Sequence, residues 1–228
     1  MKKIIDKYET AICLLLIIIY IVSNSYCVQH FGITDYRTVI INSGLSFLLI
    51  MLMYSLNRLS YYGLRKPLNS KEYFYFIPLL LIVSVNLWNG IHIQNTTDEI
   101  LCHILTMINV GFIEEILFRG FLFRMMEKDN IKLAIIVSSL TFGVGHIINL
   151  FNGAFLLETL LQVCYAITIG FLFVIILCKT KSLIPCIVTH CLMNSLSIFN
   201  SSSFDYLSGV FLVVVPIVYS IYIVKVIK

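Results

Sequence analysis

Apolar runs of about twenty residues alternate with short polar connections along the whole chain. A window of about 19 residues predicts eight transmembrane helices, at roughly 10–29, 38–57, 73–91, 100–123, 132–151, 159–178, 183–200 and 207–225. The expected fold is an all-α membrane protein, a polytopic bundle of about eight transmembrane helices around an intramembrane polar active site. No linker, repeat or low-complexity stretch divides the chain, so residues 1–228 read as a single integral membrane domain. The first apolar run has a basic start but no small-residue cleavage site, and reads as a retained helix.

Composition agrees: 59% of the 228 residues are hydrophobic, 12% are charged, and the mean hydropathy is +0.95. A soluble domain carries about twice that charged fraction. The charges are sorted by end. Lys2, Lys3, Lys7, Arg58, Arg65, Lys66, Lys71, Arg119, Arg124, Lys128, Lys132, Lys179, Lys181, Lys225 and Lys228 fall on one set of helix ends, which leaves Arg37 alone on the other among 16 basic residues. By the positive-inside rule both termini and the basic loops are cytoplasmic. The net charge of +4 is therefore a topology signal and gives no support to nucleic-acid binding. Membrane lipids are the expected surroundings. The seven cysteines show no CxxC pair or Cys/His ladder and read as small apolar residues in helix contacts.

Inside the apolar runs the strongly polar residues are few: Glu114, Glu115, Arg119, His146, His190 and Asn194. A charged side chain at the centre of a span costs about 2.5–3.5 kcal/mol on insertion scales, so adjacent carboxylates need partners. Arg119 follows Glu115 by one helical turn and can pair with it, as a support for the helix. Glu114 lies about 100° round the helix and faces elsewhere. At about 1.5 Å per residue, Glu114, His146, His190 and Asn194 fall roughly 12–20 Å from the cytoplasmic ends of three spans, at a similar level. His30, His92 and His103 fall in or near the outer connections. A buried polar site is the consequence.

The segment "EEILFRG" (Glu114 to Gly120), "FGVGH" (Phe142 to His146) and "HCLMN" (His190 to Asn194) resembles, in order and spacing, the EExxxR, FxxxH and HxxxN signatures of a known family. This is the CAAX-protease and bacteriocin-processing (CPBP, Abi) group of intramembrane proteases, which includes the type II CAAX prenyl endopeptidases. The resemblance covers about residues 60–200, taken as a family-like catalytic core, while the first two spans look generic. It implies an endopeptidase acting on a peptide or protein substrate. The residues matching Glu114 and His146 would activate a water, and those matching His190 and Asn194 would hold the oxyanion.

That chemistry suits the residue types. A carboxylate desolvated among Ile and Phe is a stronger base than one in water, an imidazole can relay its proton, and imidazole N–H or amide NH₂ groups can meet an oxyanion. No cofactor is expected. Zinc on Glu114, His146 and His190 is the alternative, against which stand the absence of an HExxH pair and the poor ligating power of Asn. The cavity is expected to open to the cytoplasm. The Ile- and Lys-rich composition suits a bacterial cell membrane, where bacteriocin or signal-peptide maturation, or self-immunity, fits better than removal of prenylated tails. The alternatives are a proton-coupled transporter, since Glu and His at mid-membrane also serve proton relays, and a non-catalytic immunity or scaffold protein.

Overall fold

The computed structural model describes residues 8–200 and 206–226, apart from the side chain of Ser70. Lys2, Lys3, Lys7, Asp205 and Lys228 lie outside the described residues. Nine α-helices form the described bundle: α1 (Glu9–His30), α2 (Tyr36–Ser55), α3 (Leu79–Ser84), α4 (Thr97–Glu115), α5 (Ile131–Gly145), α6 (Ile148–Phe151), α7 (Leu156–Thr180), α8 (Ile184–Leu196) and α9 (Tyr206–Val226). A π-helical segment, Ile116–Phe123, prolongs α4 to Met126. Local sequence explains the boundaries. Asp35 caps α2 by accepting from the Arg37 backbone N–H, Thr96 and Glu99 form a reciprocal capping box at α4, and Asn130 caps α5. The left-handed Lys181 ends α7, and Pro185 sits in the first turn of α8, where its missing N–H costs nothing.

Among the described residues six helices are long and apolar enough to cross a membrane. The other two expected spans are built differently. Residues 73–91 break into a 3-10 turn, the six-residue α3 and a second 3-10 turn, Val85–Leu87. Pro78, which cannot donate, stands at the start of α3, and beyond it Asn86 donates to the Met193 carbonyl at 2.6 Å instead of serving a continued helix. The seventh span is only 13 residues of α-helix plus a 3-10 turn, Ser197–Phe199. At about 1.5 Å per residue this falls well short of a bilayer core of about 30 Å. The two short elements pack on each other.

Packing is inverted relative to a soluble protein. Leu14, Ile18, Val22, Leu48, Ile136 and Leu140 are exposed on the outside, whereas Thr38, Asn42, Ser46, Ser138 and Thr180 are buried within. Helix α7 lies between α5 and α9, and α4 packs on α2 and α8.

The basic connections gather at one end. Lys128 pairs with Glu9, the Tyr61 hydroxyl reaches the Arg124 carbonyl, Ser182 Oγ donates to the Arg65 carbonyl, and Lys179 reaches the Val224 carbonyl. At the far end Arg37 is held by Asp35 at 2.9 Å, and this guanidinium holds the Asp35 carboxyl down to about 2.

Candidate active site

The glutamate pair sits where α4 changes its winding. Glu114 and Glu115 are the last α-helical residues, and the π-helical turns follow directly. Such wide turns are uncommon and tend to mark functional positions. Glu115 and Arg119 are both fully buried and lie 3.1 Å apart. The guanidinium also stacks over the Phe142 ring, 3.9 Å from its centroid. Gly170 leaves room for it: a Cβ there would stand 2.7 Å from Arg119 Nη2.

His190 of α8 stands between the two carboxylates. Its Nδ1 is 2.8 Å from Glu115 Oε1, and its Nε2 is 3.5 Å from Glu114 Oε2. The sequence separates the two glutamates by direction, and the structure modifies that expectation: they reach one imidazole from opposite edges, because α8 packs across the face of α4. Close approach depends on Gly111, where a Cβ would lie 2.9 Å from the Cys191 backbone nitrogen.

Glu114 receives a second partner that the motifs do not include. The Tyr20 hydroxyl of α1 donates to Glu114 Oε1 at 2.6 Å. The first span is therefore not generic, and a lone Tyr in a Leu/Ile run gives no sequence signal of this. His103 is another addition. It is buried in α4, with Nε2 at 3.3 Å from the Asn194 carbonyl and 3.2 Å from Ser197 Oγ.

A cavity of about 430 Å³ joins these groups. Glu114, His146, Asn194, Tyr20 and His103 line it, together with Phe118 and Phe142 at the closed end. His146, at the end of α5, places Nδ1 at 3.0 Å from the Phe142 carbonyl. That leaves its other nitrogen for the cavity. A side recess of about 40 Å³ is bounded by His146, His190, Asn194, Phe142 and Phe173, among others. It holds enough room for a water or a carbonyl oxygen. The rings of His146 and His190 both pack edge-on against Phe142, at centroid distances of 5.1 and 5.7 Å. All four residues expected to carry chemistry thus meet at one place.

The direction of the opening corrects the sequence-based expectation. Every residue of Ile116–Phe123 is buried, and Leu172–Leu177 of α7 are buried beside it, so apolar packing seals the basic-loop side of the site. The exposed lining residues, Ala154 and Ser197, lie at the other end.

Glu114, His146 and His190, the alternative zinc ligands of the sequence reading, are set around the cavity and its side recess. Among the described residues no three His, Cys, Asp or Glu side chains converge to hold a metal ion. Both His190 nitrogens face carboxylates.

Comparison with curated proteins found no match. Residues 95–196 match the family described as type II CAAX prenyl endopeptidase Rce1-like. The matched segment runs from the loop before α4 to the end of α8, so it holds Glu114, Glu115, Arg119, His146, His190 and Asn194 but excludes Tyr20 and Asn86. Six long apolar helices and this match describe an integral, multi-pass membrane protein. Residues 95–196, a little under half of the chain, are thus similar to the Rce1-like family of type II CAAX prenyl endopeptidases.

Proposed function

We propose that this protein hydrolyses a peptide bond within the membrane by means of a water activated by Glu114. The observation that carries this is the position of Glu114: on the wall of the large cavity, held by Tyr20 and His190, with His146 and Asn194 on the same wall. In this reading a water between Glu114 and His146 gives up its proton as its oxygen bonds to the peptide carbonyl carbon. The carbonyl π electrons move to oxygen, and the resulting oxyanion sits in the recess by Asn194 and His190. Collapse of the tetrahedral intermediate breaks the C–N bond, and the proton held by the Glu114 and histidine group passes to the leaving amine.

Glu115 and Arg119 act behind this set. Glu115, faced by the guanidinium, accepts the Nδ1–H of His190 and so fixes the tautomer. The Nε2 then shares a proton with Glu114. Once it carries that proton, it is a donor beside the recess. No step is routed through a metal.

The basic end is assigned to the cytoplasm, which puts both termini there, in a bacterial cell membrane. Maturation of a bacteriocin or signal peptide, or self-immunity, is the role that suits such a site. The test is to purify the protein in detergent, incubate it with a peptide library and identify new termini by mass spectrometry. Wild type should generate them and His146→Ala should not. No cleavage by wild type, in a preparation that is folded, would leave the reading without support.

A further inference from the structure

The catalytic cavity and the basic loops occupy opposite ends of the bundle, and the open end is furnished with amides. Asn24, Asn86, Asn149, Asn152, Gln162 and Asn194 all line the cavity. Most are tethered on one side only. Asn24 Oδ1 accepts from Asn42, Asn86 Nδ2 donates to Met193, Asn149 Nδ2 donates to Gln162 Oε1, and Asn152 Oδ1 accepts from Ser25 and Gln29. The opposite atoms, Asn24 Nδ2, Asn86 Oδ1, Asn149 Oδ1, Asn152 Nδ2 and Gln162 Nε2, make no hydrogen bond among the described residues, and neither does the Asn194 carboxamide. The cavity wall therefore offers both donors and acceptors, held in place by their second atoms.

We infer that this vestibule takes an uncharged, extended peptide segment and admits it from the extracytoplasmic side. The inference rests on the hydrolytic reading above. An extended main chain presents N–H and C=O groups that must be satisfied when they leave water, and alternating amide donors and acceptors satisfy both. Among the described residues no lysine or arginine lines the cavity, and Arg119 is sealed behind it. A C-terminal carboxylate would thus meet no permanent cation and would face the Glu114 carboxylate instead. The occupant is an internal stretch of a neutral peptide.

Sidedness follows from two facts. The connections carrying Arg58, Arg65, Lys128 and Lys179 lie together at the end sealed by Ile116–Phe123. The mouth, marked by Ala154 and Ser197, lies at the end where Asp35 neutralises the single Arg37. If basic connections stay inside, the mouth faces outward.

Labelling tests access without any need for cleavage. Ala154→Cys replaces a small exposed lining residue, and Asp129→Cys marks an exposed turn at the basic end. A membrane-impermeant maleimide, with its site of attachment read by mass spectrometry, should modify position 154 in intact cells and position 129 only in inverted vesicles. Modification of 154 only in inverted vesicles would overturn the access route. Occupancy is read on purified Ala154→Cys carrying Glu114→Gln. A pool of hexapeptides of Ala, Ser, Leu and Gln with blocked ends should slow the labelling, and Gln162→Leu should weaken that protection about tenfold, the value of one good hydrogen bond. Protection only by free-carboxylate peptides or by a farnesylated cysteine peptide, or by none of these, would overturn the substrate class. Protection without cleavage by the Glu114 form would sink the hydrolytic reading and leave the vestibule standing.

Discussion

His190 Nδ1 and Arg119 Nη1 converge on the same oxygen, Glu115 Oε1, at 2.8 and 3.1 Å. One buried carboxylate thereby joins a cation on its own helix to an imidazole on α8. The other edge of that imidazole faces Glu114. The orientation of the proposed base therefore depends on a charge pair that never meets the cavity, because Arg119 and Glu115 are fully buried.

Removing one member of that pair leaves the other charge unpaired in an apolar interior. Arg119→Ala is expected to cost about 3–5 kcal/mol of stability. The double variant Glu115→Gln with Arg119→Met should recover folding better than Arg119→Ala alone. Thermal melting in detergent measures both, and melting of both variants at the wild-type temperature would show the pair to be incidental.

Gly170 serves the same pair by its lack of a side chain. A methyl group 2.7 Å from Arg119 Nη2 has to displace the guanidinium from Phe142 or push α7 from α5. Gly170→Ala is expected to destabilise by about 1–3 kcal/mol, as overpacking does. A melting temperature at or above that of wild type would contradict the placement of Arg119.

Tyr20 positions Glu114 from outside the matched segment. Tyr20→Phe removes the 2.6 Å hydrogen bond and keeps the ring. A carboxylate freed on one side spends less time in its productive pose, so kcat should fall about tenfold with KM little changed. A rise in KM at constant kcat would make Tyr20 a substrate-binding group instead.

Metal dependence has a direct measurement. A glutamate-activated water keeps its activity in EDTA or phenanthroline after prolonged incubation, and the protein carries no stoichiometric zinc by elemental analysis. One zinc per chain, lost in His146→Ala or His190→Ala, would make these side chains ligands and replace the proposed chemistry.

Much of this was legible in the chain itself. Long apolar runs and the lone Arg37 against fifteen other basic residues define a multi-pass bundle, and the spacing from Glu115 to Arg119 foretells their contact. The remainder depends on relations that averaging or local spacing cannot register. Hydropathy over a window conceals Pro78 and Asn86, which break the third span. The contact of His190 with both glutamates requires α8 to lie across α4, a long-range packing fact. The direction of the mouth depends on which end of the bundle is packed shut, and the buried run Ile116–Phe123 reads in sequence like any other apolar stretch.

The most direct measurement of the central claim sets Glu114→Gln beside wild type in peptide cleavage and in thermal melting. Gln keeps the size of the side chain and can still accept from Tyr20, but it cannot take a proton from water. The account predicts a folded protein with a melting temperature near that of wild type and cleavage lowered by about 10³-fold or more, consistent with loss of the general base. A folded Glu114→Gln protein that cleaves peptide at the wild-type rate would contradict it.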